Sequence, residues 1–239
     1  MCGRYTITIS LEELLLRFHI DPAFPLYHRP RYNVAPGQLV PAIVNDGQRN
    51  RIGELKWGLV PQWAKDETIG SKMINARAET VAEKPAYRIP LERKRCLVPA
   101  DGFYEWKKKD DGKSKQPMRI ILKDGATFAM AGLYEIWTTP DGRKLSTCTI
   151  ITTAPNRLMA DIHDRMPVIL RPEQETVWLD RGMRDTSRLL DMLKPYPAEE
   201  MRAYPVASGV GNVNNDGPEC VNEIFDTAAT GKPRGSAIE

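Results

Sequence analysis

The chain has 239 residues, 41% of them hydrophobic, with 34 Lys and Arg against 31 Asp and Glu. That length supports a proper buried core, and a net charge of +3 permits a polyanionic partner only through a local patch, not through overall basicity. No apolar run is long enough for a transmembrane helix, and MCGRYTITIS lacks the apolar segment of a signal peptide, so a cytoplasmic protein is expected. The four cysteines, Cys2, Cys96, Cys148 and Cys220, form no C-x-x-C pair. With three scattered histidines they give no metal-site spacing, and neither metal nor cofactor is expected. Cys96 and Cys148 lie in apolar stretches and read as buried thiols.

In chain order, Ser10-Leu11-Glu12-Glu13 fits a capping box ahead of a short helix carrying Leu14, Leu15 and Phe18. Val40–Val44 and Arg51–Trp57 read as strands flanking the turn Asn45-Asp46-Gly47. Phe103–Lys108 and Met118–Leu122 flank a polar stretch with Asp111-Gly112. Strands at Thr127–Leu133 and Lys144–Thr152 follow Asp124-Gly125 and Pro140-Asp141-Gly142. Asp-Gly pairs supply the positive φ that tight hairpins need. Helices are expected near Asn156–Ile162, Pro172–Leu179 and Thr186–Leu193. The pattern is α+β: a single domain, residues 1–226, around a curved, barrel-like antiparallel sheet with peripheral helices. The small and polar residues 227–239 read as a disordered tail.

The second residue is chemically distinctive. Removal of Met1 leaves Cys2 with a free α-amine beside its thiol, a 1,2-aminothiol whose groups have ordinary pKa values near 8 and 8.5. An aldehyde reacts with the amine to an imine, and the thiolate then closes a five-membered thiazolidine. An internal cysteine cannot do this, because its nitrogen is in an amide. Gly3 leaves room for the terminus to turn into a cleft, and Arg4 suits a phosphate and favours the thiolate.

Further segments are unusual for a core: Arg31-Tyr32-Asn33-Val34-Ala35-Pro36, Trp57-Gly58-Leu59-Val60-Pro61-Gln62-Trp63, Ile74-Asn75-Ala76-Arg77-Ala78-Glu79-Thr80, Ala100-Asp101-Gly102-Phe103-Tyr104-Glu105-Trp106, and Asp161-Ile162-His163-Asp164-Arg165-Met166-Pro167. With Met1-Cys2-Gly3-Arg4, and in the same order up to about Asn214, they resemble the SOS response-associated peptidase (SRAP) family of abasic-site processing proteins. The resemblance implies a mixed domain around a curved sheet with a basic channel. It also implies trapping of ring-opened abasic sites in single-stranded DNA as a thiazolidine on the amino-terminal cysteine, which shields the lesion. The family name reflects a peptidase-like activity attributed to removal of the initiator methionine.

By that resemblance Cys2, Asn75, Glu105 and His163 are the catalytic residues. Glu105 shuttles protons, since a carboxyl in an aromatic setting has a raised pKa; by spacing alone it reads as an exposed strand residue. His163 stabilises the ring oxygen or protonates the adduct. Asn75 orients the Cys2 amine or the sugar hydroxyl. Arg77 falls on the same side as Asn75 if that segment is extended. Arg4, Arg77 and Arg165 are candidate phosphate contacts, Trp63 a base-stacking residue, and Asn33 and Pro36 shape the pocket wall. Trp57 and Trp106 read as core, and Lys107-Lys108-Lys109 as a solvated hairpin rim. The family often has Trp-Trp where this chain has Gln62-Trp63, which bears on a two-ring stacking platform and not on the catalytic set. The expected partner is single-stranded DNA with abasic sites, engaged by a monomer, with the protein nucleoid-associated when bound. Two other readings use the same residues: an amino-terminal-nucleophile cysteine peptidase, with Cys2 attacking peptides, and a passive single-stranded DNA-binding module.

Overall fold

Residues 2–20 and 28–225 are described in the computed structural model; the tail expected at 227–239 lies outside them. Among the described residues thirteen strands run in chain order as β1 Tyr5–Ile7, β2 Arg31–Val34, β3 Leu39–Asn45, β4 Asn50–Trp57, β5 Asn75–Arg77, β6 Arg95–Ala100, β7 Gly102–Lys108, β8 Lys115–Leu122, β9 Phe128–Thr138, β10 Lys144–Thr153, β11 Met166–Pro167, β12 Ile169–Leu170 and β13 Met201–Pro205. The helices are α1 Leu11–Arg17, α2 Pro85–Arg93, α3 Arg157–Ala160, α4 Pro172–Leu179 and α5 Thr186–Asp191. No helix among the described residues is long and apolar enough to cross a membrane.

Strands β10, β4, β3, β6 and β9 follow one another as neighbours, and β9 pairs back onto β10, so these five close a barrel. Closure removes the free edges that an open sheet would present. The barrel is mixed, not purely antiparallel as expected. β10 pairs antiparallel with β9 from Lys144↔Thr138 to Ile150↔Gly132, but parallel with β4 at Cys148↔Trp57 and with β5 at Ile150↔Asn75. Hairpin turns announce only local antiparallel pairs; parallel neighbours meet through long crossovers that leave no turn signature. A second sheet, β13-β8-β7-β1-β2, is antiparallel throughout. Both sheets feed one apolar core that includes Tyr5, Ile7, Trp57, Leu97, Phe103, Met130 and Ile150.

Local expectations fare well where turn and cap chemistry is explicit. Ser10 Oγ accepts from the Glu13 N–H while the Glu13 carboxylate accepts from the Ser10 N–H, the reciprocal capping box. The strands expected beside Asp46-Gly47, Asp111-Gly112 and Asp141-Gly142 form and pair as hairpins, β9 beginning at Phe128 and running on to Thr138, whereas Asp124-Gly125 joins β8 to β9 of the other sheet and makes no hairpin; α4 matches its expected span. Trp57 is buried and Cys96 and Cys148 are fully buried. Trp106 is only half-buried, with the Arg4 guanidinium 5.9 Å from its ring centre. Lys107, Lys108 and Lys109 are exposed.

The short strand β1 is pinned by a buried polar network. Asp101 accepts from the Thr6 hydroxyl, the Thr8 hydroxyl and the Thr8 N–H, and pairs with Arg119 at 3.2 Å. Gly102 sits under this network; a Cβ there would lie 2.8 Å from Arg119 Nε and 2.9 Å from Thr6 Oγ1. The consequence for function is direct, because β1 carries the amino-terminal residues.

Candidate active site

Strand β1 lies between β2 and β7, with Tyr5 opposite Phe103 and Thr6 opposite Gly102. The Tyr104 N–H donates to the Arg4 carbonyl at 3.0 Å, which carries the pairing toward the terminus. Extending this antiparallel register sets Gly3 opposite Glu105 and Cys2 one step further on, opposite Trp106. Cys2 is fully buried. Burial pushes its thiol well above the ordinary range, and the neighbouring Glu105 charge pushes the same way, opposed in part by the Arg4 N–H directed at the sulfur. The resting thiol is therefore neutral.

Glu105, on β7, is 3% exposed, contrary to the solvent-facing position that its spacing suggests. Burial raises its carboxyl from an ordinary 4.5 to about 8. A carboxyl of that kind is protonated at neutral pH yet gives up its proton at little cost.

His163 reaches the same place from the barrel side. Helix α3, capped by Asn156, ends so that the His163 N–H donates to the Met159 carbonyl at 2.8 Å. The turn then runs into β11, which pairs with the end of β10 at Thr152↔Pro167 and Thr153↔Met166. His163 Nε2 lies 3.8 Å from Glu105 Oε2. Burial lowers its pKa, with the positive amino terminus adding to the shift and Asp164 opposing it. Two groups compete for Nδ1: the Arg165 N–H at 3.1 Å and Asp164 Oδ1 at 2.9 Å.

Asn75 opens β5, against the same end of β10. Its Nδ2 donates to the Ile150 carbonyl at 3.4 Å, and its Oδ1 is buried with no hydrogen-bond partner among the described residues. Asn75 and Arg77 share one strand face, as extended geometry requires, and Arg77 is exposed. Cys2 and Glu105, from the five-stranded sheet, thus share one seam with His163, which enters beside the end of β10 where β5 also ends.

The expected DNA contacts divide into engaged and open groups. Arg4 Nη1 donates to Asn33 Oδ1 and to the Val210 carbonyl, each at 2.8 Å, and Nη2 donates to the Gly211 carbonyl at 3.1 Å. Asn33 is fully buried, and its amide donates to the carbonyls of Val210, Asn212 and Asn215. Both residues tie the segment after β13 to the amino-terminal strands, a role their motif did not suggest. Arg165 forms a bidentate pair with Glu79. Trp63 is open: it is 61% exposed, at the rim of a depression of about 390 Å³ that includes Lys65 and Lys72. Gln62, the residue before it, donates to Glu135, and Trp137 Nε1 donates to the Ala64 carbonyl at 3.0 Å, so the loop is held while the indole projects. Pro36 lines a separate depression of about 350 Å³ with Trp57 and Gly58. Gly58 is obligatory there, with φ of +133° and a Cβ position only 2.6 Å from the Gly70 carbonyl oxygen.

Two charged residues near the site escaped the sequence reading. Lys115 on β8 acts electrostatically on both Glu105 and His163, although its sequence context is that of a hairpin strand. Glu79 stands within the Asn75-Ala76-Arg77-Ala78-Glu79 motif, and its position two residues past Arg77 was the available signal. Among the described residues, no cluster of His, Cys, Asp and Glu has the geometry to hold a metal.

The family model described as SOS response associated peptidase (SRAP) matches residues 1–213. The chain is 56% identical over 223 residues to the abasic site processing protein YoqW of Bacillus subtilis, covering 92% of this chain and 99% of that protein. It is 32% identical over 230 residues to the abasic site processing protein HMCES of Rattus norvegicus, covering 80% of this chain and 64% of that protein. A crystal structure of a Bacteroides thetaiotaomicron protein superposes with a TM-score of 0.84 at 30% identity, covering 94% of this chain and 100% of the other.

Proposed function

The chain belongs to the SOS response associated peptidase family, and from that membership we propose that it processes abasic sites in single-stranded DNA by forming a covalent thiazolidine through Cys2 after Met1 is removed. The observation that carries the reading is the juxtaposition of three groups: a fully buried Cys2, a Glu105 carboxyl with a pKa of about 8 acting on its thiol, and His163 Nε2 at 3.8 Å from that carboxyl.

The chemistry follows from these protonation states. The freed Cys2 amine attacks the aldehyde carbon of the ring-opened sugar, forming a C–N bond and a carbinolamine. Protonated Glu105 donates to the leaving hydroxyl, water departs, and a protonated imine remains. The carboxylate so produced takes the thiol proton, which a neutral, buried thiol requires before it can attack. Sulfur adds to the carbon of the protonated imine, the C=N electron pair settles on nitrogen, and the five-membered ring closes as a neutral thiazolidine. The balance is one aldehyde and one aminothiol to one thiazolidine and one water. His163, held neutral near pH 7, exchanges the proton with Glu105 and assists opening of the sugar ring. The spare acceptor on Asn75, Oδ1, is suited to hold the Cys2 amine or the sugar hydroxyl.

Arg77 and Trp63 supply the outward-facing DNA contacts, a phosphate clamp and a stacking surface. A DNA phosphate is the natural competitor for the Arg165 fork. Glu105 acts on Cys2 itself, and the same acid–base pair suits self-processing of the terminus. The reading is tested by incubating processed protein with a single-stranded oligonucleotide carrying one abasic site and resolving the products under denaturing conditions. Wild type gives a denaturation-resistant adduct and Cys2→Ala gives none; the same adduct from Cys2→Ala refutes the reading, as salt-sensitive binding without any adduct would favour a passive binding module.

A further inference from the structure

We infer that Glu79 is a positioning residue that selects the tautomer of His163 through Arg165. Arg165 is only 14% exposed at its side chain. Its guanidinium donates twice to Glu79, Nη1 to Oε1 at 2.7 Å and Nη2 to Oε2 at 2.9 Å, and Nη2 also donates to the Thr152 carbonyl at 2.6 Å. That same carbonyl accepts from the Ala78 N–H at 2.8 Å. One fork therefore fastens three pieces of chain: the end of β5 through Glu79, the end of β10 through Thr152, and the turn that carries His163.

The backbone of Arg165 is the part that touches the imidazole. Its N–H points at His163 Nδ1 from 3.1 Å. When Nδ1 accepts that hydrogen bond, the ring proton resides on Nε2, which faces Glu105 Oε2 at 3.8 Å. The other neutral tautomer places the proton on Nδ1, where Asp164 Oδ1 at 2.9 Å accepts it, and leaves Nε2 a bare acceptor toward Glu105. The Asp164 side chain is 86% exposed, so it brings no rigidity to the contest, whereas a bidentate fork on a shielded arginine does. Glu79 holds Arg165 in place, Arg165 holds its own N–H on Nδ1, and Nε2 keeps the proton that the Glu105 relay uses. The chain of contacts explains why a half-exposed glutamate that touches neither Cys2, Glu105 nor His163 belongs to the machinery.

The inference rests on the reading of His163 as a catalytic residue, and its test uses a measurement that needs no DNA. Nitrogen-15 NMR of the imidazole rings at neutral pH, with the His163 signals assigned by their loss in His163→Ala, reports which ring nitrogen bears the proton. Wild type is expected to carry it on Nε2. Glu79→Ala is expected to move His163 toward the Nδ1-protonated form, and Glu79→Gln, which keeps one acceptor on the fork, to fall between. Abasic-site crosslinking should slow in Glu79→Ala by about tenfold, the scale of one charge-assisted hydrogen bond, with the thermal transition of Glu79→Gln used to exclude loss of fold. An unchanged His163 tautomer in both variants overturns the inference, and so does faster crosslinking with tighter DNA binding at an unchanged tautomer, which would make Glu79 a plug on the Arg165 fork. A shifted tautomer with an unchanged rate supports the positioning role and counts instead against His163 in the proposed reaction.

Discussion

Replacing Glu105 by Gln removes a charge and keeps the shape of the side chain, so its effect isolates the cost of ionising a buried carboxyl. Glu105 is 3% exposed and titrates at about 8 in the folded protein against an ordinary 4.5 in an unfolded chain. Between those values the folded state keeps a proton that the unfolded state has lost. The stability contributed by that proton is complete below about 4.5 and is lost as pH rises through about 8. The displacement corresponds to about 4–5 kcal/mol, an upper figure for a site that relaxes on ionisation. Wild type should therefore lose about 3–5 kcal/mol relative to Glu105→Gln between pH 4.5 and pH 9. Urea unfolding at several pH values, read by tryptophan fluorescence, measures this as a widening gap between the two midpoints. Removal of Met1 moves a cationic amine onto Cys2, beside the carboxylate, and should shrink the gap. A gap that stays constant from pH 4.5 to pH 9 in both forms would refute the buried setting of Glu105, and with it the acid–base role built on it.

Asp101→Ala strands the buried Arg119 guanidinium and frees Thr6 and Thr8, so it should destabilise the fold by about 3–5 kcal/mol, measured by the same unfolding assay, and raise hydrogen exchange in β1 before the barrel. Ser10→Ala, which breaks the capping box, should cost only about 1 kcal/mol. Trp63→Ala should weaken binding to single-stranded DNA by about 1–3 kcal/mol in a fluorescence anisotropy titration, leaving the salt dependence unchanged, whereas Arg77→Ala should reduce the salt slope by about one. Glu105→Gln should also slow adduct formation, and the wild-type rate should fall as pH rises through about 8 as the general acid is lost.

Much of the local structure was legible because its causes are local. The Ser10 and Glu13 capping box, the Asp-Gly hairpins and Pro172 at the head of α4 are each set by a few adjacent residues. Helix α2 was not anticipated; it carries two prolines, Pro85 at its first position, where no N–H is needed, and Pro90 inside it. Strand β6 was masked by Pro99 inside a run that pairs on both sides. The parallel pairing of β4 and β5 with β10 depends on crossovers that no turn signal announces. At the site, the residue identities were readable and their surroundings were not. Glu105 lies in a Tyr-Glu-Trp stretch whose alternation suggests one solvent face, whereas both faces of β7 are buried from Gly102 to Glu105. Arg4 read as a phosphate contact and Asn33 as a residue of the pocket wall because sequence cannot show the carbonyls, Val210 and Gly211 for Arg4 and Val210 for Asn33, more than 170 positions away, that engage them. Glu79 was passed over because its role runs through Arg165, a partner 86 positions along the chain.

The central claim is that the amino group and thiol of one residue both bond to the sugar carbon, and peptide mapping of the adduct tests it most directly. Processed protein is incubated with abasic single-stranded oligonucleotide, digested with protease and nuclease, and the linked peptide is sequenced by mass spectrometry. The expected result is a peptide beginning at Cys2 that carries the sugar remnant with loss of one water, no free thiol, and Met1 absent. A remnant on a lysine or an internal cysteine, or the same adduct on protein that retains Met1, would contradict the account.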